Sequence, residues 1–231
     1  MIIKSFRRTS LVDFPGNIVS TVFVAGCNFR CPFCHNPELV FDDPSLKAMP
    51  AEDVLKELER RKGLIDGVCV SGGEPTIHKD LPEFLAKIKN LGLKTKLDTN
   101  GSNPEMLRKI IHEKLADYVA MDIKSSSGNY LKAAGSQDAA KVLESATMLM
   151  DSNVDYEFRS TAVPGLFSMN ELISICKEIS GAKRYIIQQF NANAGLVDPE
   201  YSKIKPFTAK ELEGFASFAG RFVQECGIRN L

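Results

Sequence analysis

Short runs of apolar and β-branched residues alternate with amphipathic stretches along most of the chain. The runs have the length of strands, and the stretches between them repeat apolar residues at helical spacing. The predicted strands are residues 18–24, 67–71, 93–99, 117–124, 154–163 and 184–190. The predicted helices are 51–61, 81–92, one that starts at Pro104, 138–151, 169–179 and one opened by the capping-box pair Thr208 and Glu211. About six β–α units predict a parallel sheet with right-handed crossovers, either doubly wound or a partial barrel.

Polar residues gather where each predicted strand ends. Three cysteines follow the first strand, SGGEP (71–75) ends the second, DTNG (98–101) the third and MDIK (121–124) the fourth. Arg159 and the pair Gln188-Gln189 lie toward the ends of the fifth and sixth strands. Binding and catalysis concentrate at the carboxyl ends of strands in parallel α/β folds. We therefore expect the active site along this rim.

Composition and charge narrow the class of protein and agree with the predicted α/β fold. With 231 residues, 44% of them apolar, the chain suits one large domain, predicted at 1–195, with a helical extension at 196–231 packed on it. Lysine plus arginine equal aspartate plus glutamate at 29 each, which predicts neither a nucleic-acid footprint nor a polybasic membrane arm. A polar N-terminus and the lack of a long apolar run predict a cytoplasmic protein with no signal peptide, no membrane span and reduced thiols.

The segment GCNFRCPFCHN (26–36) holds Cys27, Cys31 and Cys34 at C-x3-C-x2-C spacing. A structural zinc site needs four protein ligands, and the sequence has no second cysteine pair. A redox loop needs only two thiols and leaves the third unexplained. Three thiolates on a 4Fe–4S cluster would leave one iron open to a substrate or cofactor. The other cysteines are predicted to be small buried apolar residues: Cys69, Cys176 and Cys226.

This cysteine spacing, with an aromatic residue before the last cysteine, resembles the signature of radical S-adenosylmethionine (SAM) enzymes. The resemblance implies a partial (βα)6 barrel of parallel strands. It also implies a 4Fe–4S cluster on Cys27, Cys31 and Cys34, with SAM chelated to the fourth iron. SGGEP resembles the glycine-rich stretch of the family. Its Gly72, Gly73 and Glu74 would then meet the methionine amino group.

The same resemblance gives roles to single residues along the rim. Phe33 would lie against the adenine, Lys124 and Asp98 would approach the methionine end of SAM, and Arg159 would pair with the cofactor carboxylate. Gln188 is assigned to the cofactor site by its place at the sixth strand. Packing for Phe33 and a plain salt bridge for Arg159 are the alternatives. A monovalent cation is also expected near these oxygen-bearing residues: Asp98, Thr99, Met121 and Asp122.

Further motifs are together similar to glycyl-radical-enzyme activases: SLVDFPG, CHNPEL, LDTNG, MDIK and VPG. Within these, the similarity is closest to the activating proteins of anaerobic ribonucleoside-triphosphate reductase. It implies that a one-electron donor such as flavodoxin or ferredoxin reduces the cluster. SAM is then cleaved, and a hydrogen atom is taken from a glycine of a partner enzyme. Asp13 would contact the partner's glycine loop, with a plain turn aspartate as the alternative.

Three other functions compete with this expectation. The chain could activate another glycyl radical enzyme, of the pyruvate formate-lyase type. It could be a radical SAM enzyme that acts on a small molecule or a peptide. It could also be an iron–sulfur or zinc module that senses redox state, although such a module would not need polar residues at the ends of six strands.

Overall fold

The structure is a computed structural model and describes residues 1–230. Its strands are β1 (Ile3–Ser10), β2 (Val19–Val24), β3 (Gly67–Gly72), β4 (Lys94–Thr99), β5 (Tyr118–Asp122), β6 (Asp155–Ala162), β7 (Arg184–Gln189) and β8 (Glu225–Arg229). Its α-helices are α1 (Pro37–Val40), α2 (Ala51–Arg60), α3 (Leu81–Asn90), α4 (Pro104–His112), α5 (Tyr130–Ala134), α6 (Ala139–Asp151), α7 (Met169–Glu178) and α8 (Ala209–Ala219). Short 3₁₀ helices lie at Pro75–Ile77, Ser127–Asn129 and Pro199–Lys203.

The chain divides into two compact units. The first comprises Met1–Asn28, Glu38–Thr99 and Glu105–Val119, and the second comprises Phe29–Pro37, Asn100–Pro104 and the chain from Ala120 onward. The domain boundary expected at residue 195 stays a prediction. Within the second unit, residues on the two sides of that position are in contact, since Gln189 Nε2 donates to the Phe207 carbonyl at 2.6 Å.

The first unit contains strands β1 to β4. β2 pairs in parallel with β3, and β3 pairs in parallel with β4, whereas β1 lies antiparallel to β2 with irregular register. Val22, Val68 and Leu97 come from β2, β3 and β4 and are fully buried. Leu58 of α2 and Leu85 of α3 are fully buried as well. Apolar residues of strands and helices thus form the core of this unit.

The second unit contains strands β6 to β8. β6 pairs in parallel with β7, and β7 pairs in parallel with β8. Phe158 and Ile187 of these strands are fully buried, as are Leu172 of α7 and Leu212 of α8. The capping box predicted for α8 is present: Thr208 Oγ1 accepts from the Glu211 N–H, and the Glu211 carboxylate accepts from the Thr208 N–H.

The predicted α/β fold with a mostly parallel sheet is confirmed, and each of the six predicted strands is present as β2 to β7 to within two residues. Two strands were not predicted. The exposed positions of β1 are charged or polar (Ser5, Arg7, Arg8 and Thr9), and β8 (ECGIR) has almost no apolar run, so neither has a strand pattern of its own. The extension is therefore not purely helical. Closure into a partial barrel stays a prediction. None of the helices within residues 1–230 has the length and apolar character needed to cross a bilayer.

Candidate active site

The second and third cysteines lie at the two ends of one backbone turn in the second unit. Cys31 is buried, Cys34 is half-buried, and the Cys34 N–H donates to the Cys31 carbonyl at 3.1 Å. Pro32 occupies the second position of this turn, where its fixed φ is favourable. The C-x2-C part of the motif is therefore a defined turn. Cys27, which is half-buried, belongs to the first unit.

A tight backbone contact fixes the start of this cysteine loop. The Arg30 N–H donates to the Ala134 carbonyl, the last residue of α5, at 2.8 Å. Gly135 ends that helix with a φ of +62°, and a Cβ there would lie 3.1 Å from the Cβ of Arg30. Glycine adopts this left-handed conformation without strain and leaves room for the loop.

The other side of the turn is held by the segment that follows β7. The Asp198 N–H donates to the Pro32 carbonyl at 2.9 Å, and the Val197 N–H donates to the Cys34 carbonyl at 3.0 Å. These two residues lie in the extension, whose role the sequence left open. Sequence reasoning missed them because a backbone N–H has no side-chain signature. The extension thus supports the cysteine loop directly.

Two aromatic residues pack behind the loop. The rings of Phe29 and Tyr130 meet edge to face with centroids 5.9 Å apart. The Tyr130 hydroxyl oxygen accepts from the Lys124 N–H at 3.3 Å, and burial raises the pKa of Tyr130, which keeps that hydroxyl protonated. Phe33, expected against an adenine, is a buried side chain, and its contact with the cofactor stays a prediction.

Asp122 joins two of the predicted site residues. Lys124 Nζ donates to Asp122 Oδ2 at 2.8 Å, and Arg159 Nε donates to Asp122 Oδ1 at 2.8 Å. Arg159 stands on β6 beside the end of β5, where its carbonyl accepts from the Ile123 N–H. The structure therefore brings Lys124 and Arg159 together, through a carboxylate that the sequence had assigned only to a cation.

The opposite charges of Asp122, Lys124 and Arg159 shift the pKa values of Asp122 and Lys124 strongly. Burial alone would raise the pKa of Asp122, but the charges of Arg159 and Lys124 outweigh it, so the pKa lies below the usual range. Burial alone would lower the pKa of Lys124, but the charges of Asp122, Cys31 and Cys34 outweigh it and raise the pKa. Lys124 is thus held as a cation, close enough to Cys31 and Cys34 for their charges to contribute to its raised pKa.

In the first unit, the glycine pair of SGGEP meets the backbone that follows β2. The Gly73 N–H donates to the Val24 carbonyl at 2.8 Å, and the Glu74 N–H donates to the Gly26 carbonyl at 2.8 Å. A Cβ on Gly73 would lie 1.9 Å from the Gly26 oxygen, and Gly72 has a φ of +121°. The glycines are therefore required by close packing against the start of the cysteine motif. Their contact with a cofactor stays a prediction.

The Glu74 carboxylate is 1% exposed and rigidly held. Its Oε1 accepts from the Thr76 N–H at 3.0 Å, from Thr76 Oγ1 at 2.6 Å and from Thr99 Oγ1 at 2.7 Å. Thr99 ends β4, so this carboxylate links the ends of β3 and β4 within the first unit. An oriented carboxylate suits recognition of an ammonium group, as the sequence predicts.

Asp98 binds a lysine that sequence reasoning missed. Ser71 Oγ donates to Asp98 Oδ2 at 2.9 Å, and Lys96 Nζ donates to Asp98 Oδ1. The Lys96 side chain is 2% exposed, and its Nζ also lies 3.7 Å from Cys69 Sγ. The signal was present in KTKLDT, where the period of two puts Lys96 and Asp98 on the same face of a strand.

Asp13 and Gln188 are the two remaining residues that the sequence assigned to the site. Asp13 Oδ2 accepts from Thr21 Oγ1 at 2.5 Å and pairs with Arg7 at 3.4 Å, in a loop whose Leu11 and Val12 are exposed. Gln188 is the last but one residue of β7 and half-buried. Within residues 1–230, no group of three or more His, Cys, Asp or Glu side chains is arranged to hold a metal ion. Ligation of a cluster by the three cysteines stays a prediction.

A family comparison decides the class of protein. Residues 21–178 match the model of the radical SAM superfamily, a span that includes the cysteine motif, SGGEP, DTNG and MDIK. The chain belongs to the radical SAM superfamily. This superfamily implies a 4Fe–4S cluster and SAM as cofactors, as the sequence predicted.

Curated relatives place this radical SAM protein more narrowly. A protein of Methanocaldococcus jannaschii, MJ1227, whose name assigns it to the glycyl-radical-enzyme activating enzymes, is 30% identical over 96% of this chain and 93% of its own length. The pyruvate formate-lyase-activating enzyme of Streptococcus mutans is 33% identical over 82% of this chain and 75% of its own length. That of Escherichia coli K12 is 31% identical over 71% and 68%. The chain is therefore an enzyme of the glycyl-radical-enzyme activating family.

Solved structures show the same fold at low sequence identity. SuiB from Streptococcus suis has a TM-score of 0.71 at 16% identity over 92% of this chain, and this chain spans about half of SuiB (49%). A domain of a pyruvate-formate lyase-activating enzyme from Bacteroides vulgatus has a TM-score of 0.59 at 13% identity over 71% of this chain and 99% of that domain. These likenesses support the fold alone.

Proposed function

We propose that this radical SAM activase installs a glycyl radical on anaerobic ribonucleoside-triphosphate reductase, with a 4Fe–4S cluster held by Cys27, Cys31 and Cys34. The observation that carries the proposal is the pairing of the CPFC turn with the charged group of Lys124, Asp122 and Arg159. Lys124 lies close enough to Cys31 and Cys34 for their charges to raise its pKa, so a cation stands beside two of the three proposed cluster ligands. The donor set and its electrostatics therefore fit an iron–sulfur cluster.

When bound, the cluster and SAM would supply the one-electron chemistry that removes a hydrogen atom from a glycine of the partner enzyme. The residues of the chain bind and orient. We propose that Glu74 receives the methionine ammonium, because its Oε1 is fixed by three hydrogen bonds. We propose that Arg159 pairs with the methionine carboxylate while Asp122 orients its guanidinium through Nε.

Other residues of the site have positioning tasks in this proposal. Lys124, held by Asp122 and by its backbone bond to Tyr130, approaches the methionine end of the cofactor. Phe33 excludes water at the adenine, and Gln188 contributes an amide at the end of β7. A buried, water-poor site matters here because a primary carbon radical attacks most neighbouring groups. Asp13 is proposed as a contact for the partner's glycine loop.

Two partner enzymes are supported by different observations. The combination of VDFPG, LDTNG, MDIK and VPG is similar to the activating proteins of anaerobic ribonucleoside-triphosphate reductase. Several curated relatives are instead named pyruvate formate-lyase-activating enzymes, which supports a pyruvate formate-lyase-type partner as the second candidate. A one-electron donor such as flavodoxin or ferredoxin would serve either partner.

Electron paramagnetic resonance separates these partners. Reconstituted protein, SAM and a strong reductant are mixed anaerobically with purified anaerobic ribonucleotide reductase, and in parallel with pyruvate formate-lyase. We expect a glycyl doublet with the reductase and little signal with the lyase. A doublet with the lyase alone would favour the second candidate. SAM cleavage without a doublet on either protein would contradict both.

A further inference from the structure

Asp98, one of the residues assigned to the cofactor and to a monovalent cation, already binds a cation of the chain itself. Lys96 lies on β4, two residues before Asp98, so both side chains are on the same face of the strand. Cys69 of β3 is paired in register with Lys96, and Ser71 lies two residues after Cys69. The four side chains form one compact patch on neighbouring strands.

Both oxygens of Asp98 are used within this patch. Oδ1 accepts from the Lys96 ammonium, and Oδ2 accepts from Ser71 Oγ at 2.9 Å. The Lys96 side chain is almost fully buried, and burial of an ammonium is tolerated only when a counter-charge is close. Lys96 and Asp98 therefore depend on each other, and the lysine cannot swing away without leaving a buried charge behind.

A monovalent metal ion needs several oxygen ligands, and a carboxylate attracts it only while the carboxylate charge is not already balanced by another cation. At Asp98 the negative charge is already balanced, and a second cation beside Lys96 would be repelled. The other carboxylate of the predicted cation site, Asp122, is likewise paired with Lys124 and Arg159. The residues present do not fit a monovalent-cation site.

We propose that the Lys96 ammonium acts at Asp98 as a tethered cation, so that this protein binds neither Na⁺ nor K⁺ there. Lys96 is then a positioning residue: it fixes the orientation and charge of Asp98. The inference rests on the proposed function only in assigning Asp98 to the cofactor. The choice of cation at Asp98 is a property of the folded chain and can be measured without cofactor or partner.

Thermal unfolding in different chloride salts tests this proposal. Wild-type protein and Lys96→Met are compared in potassium, ammonium and tetramethylammonium chloride at equal concentration. The wild type should unfold at the same temperature in all three salts. Lys96→Met exposes the Asp98 charge to small cations, so potassium or ammonium should raise its unfolding temperature by about 3 °C over tetramethylammonium, which is too large to enter.

Lys89→Met is the matched control, because it removes a lysine that pairs with Asp117 at the surface of the same unit. It should show no preference among the salts. Lys96→Gln replaces the methionine variant if that one does not fold. A wild-type protein stabilised by potassium over tetramethylammonium would overturn the proposal, as would a Lys96 variant that responds no more than Lys89→Met. With reconstituted enzyme, the SAM dissociation constant of the wild type should be equal in potassium and tetramethylammonium.

Discussion

Asp98 and Asp122 lie at the ends of β4 and β5, and each binds a lysine two residues away along the chain. Lys96 precedes its aspartate inside the strand, whereas Lys124 follows its aspartate beyond the strand end. The Lys96 side chain is 2% exposed, and that of Lys124 is 19% exposed. The same pair of residue types therefore has two different environments.

Because of this difference, Lys96 is a fixed counter-ion of Asp98, whereas Lys124 is accessible enough to contact a ligand. Lys96 is enclosed by β3 and β4 and faces Cys69 and Asp98. Lys124 is partly accessible and shares the Asp122 carboxylate with a second cation, Arg159. Its pKa is raised in part by the charges of Cys31 and Cys34. A lysine inside a strand is thus held by packing, while a lysine after the strand remains available at the rim.

The largest loss of stability is expected at the backbone contact between Gly26, which follows β2, and Gly73, which follows β3. In Gly73→Ala the new methyl group would lie 1.9 Å from the Gly26 oxygen, which is backbone and cannot move aside cheaply. We expect a loss of about 3 kcal/mol or more in the free energy of unfolding, measured in urea. Gly128→Ala, where nothing lies within 4 Å of the new Cβ, should change it by less than about 0.5 kcal/mol. Equal effects of the two variants would contradict the contact.

Asp122→Asn should have the next largest effect. It leaves Lys124 and Arg159 without their shared carboxylate. Breaking a buried ion pair costs about 3–5 kcal/mol, and the partial exposure of these side chains reduces the expected loss to about 2 kcal/mol. Asp53→Asn, which removes an exposed pair with Lys56, should cost less than about 0.5 kcal/mol. Urea unfolding of both variants measures the difference, and a loss as small as that of the control would show that Asp122 is not an organising charge.

The same variant gives a pH dependence with a defined sign. The pKa of Asp122 is lowered in the folded protein, so its contribution is complete above the unfolded pKa of about 4 and is lost as the pH falls toward the folded value. The pKa of Lys124 is raised, so its contribution is complete below an unfolded pKa of about 10. The stability gap between wild type and Asp122→Asn should be constant from about pH 5 to pH 10 and shrink below that. A gap that widens in acid would have the wrong sign.

A smaller effect is expected at Glu171 of α7, which holds the loop after Lys124. Its carboxylate accepts from Ser125 Oγ, the Ser126 N–H and Asn129 Nδ2. Burial would raise the pKa of Glu171, but these hydrogen bonds outweigh it and lower the pKa, so the group is ionised at neutral pH. Glu171→Gln should lose about 1 kcal/mol, because the hydrogen bonds lose their charge.

The matched control for this variant lies on the same helix. Glu178 accepts from the Ser127 N–H and Ser127 Oγ of the same loop, but it is only half-buried and these hydrogen bonds are exposed to water. Glu178→Gln should therefore change the free energy of unfolding by less than Glu171→Gln does. If the two changes were equal, burial would not be what strengthens the Glu171 contacts.

The sequence predicted the elements whose signal is local. β2 to β7 have apolar, aromatic or β-branched residues of their own at strand spacing, and α8 begins with the complete capping box of Thr208 and Glu211. β1 and β8 were missed because their sequences are polar, and they are strands only through pairing with β2 and β7. In β8, Arg229 also forms two hydrogen bonds with the buried carboxylate of Glu157, a contact between distant parts of the chain.

In the candidate site, too, some features can be predicted from the sequence and others depend on the fold. The cysteine spacing and the motifs at the strand ends could be identified from residue types. Val197 and Asp198 could not be identified, because they act through backbone N–H groups that any residue carries, and the contact of Tyr130 with Lys124 depends on the tertiary fold. Lys96 was missed although the period of two in KTKLDT puts it on the same strand face as Asp98. The glycines of SGGEP were predicted to bind a cofactor. Their close contact with Val24 and Gly26 could not be predicted, because it depends on the path of the chain after β2.

We expect the three-cysteine motif to support SAM cleavage. The most direct measurement is 5′-deoxyadenosine formation by anaerobically reconstituted protein with SAM and a strong reductant, for wild type, Cys34→Ala and Cys226→Ala. Both cysteines are half-buried, so the prediction that Cys226 is buried was wrong and the two variants are matched. We expect cleavage by the wild type and by Cys226→Ala, and none by Cys34→Ala, which should also bind less iron. Cleavage by Cys34→Ala at the wild-type rate, or none by an iron-loaded wild type, would contradict the claim.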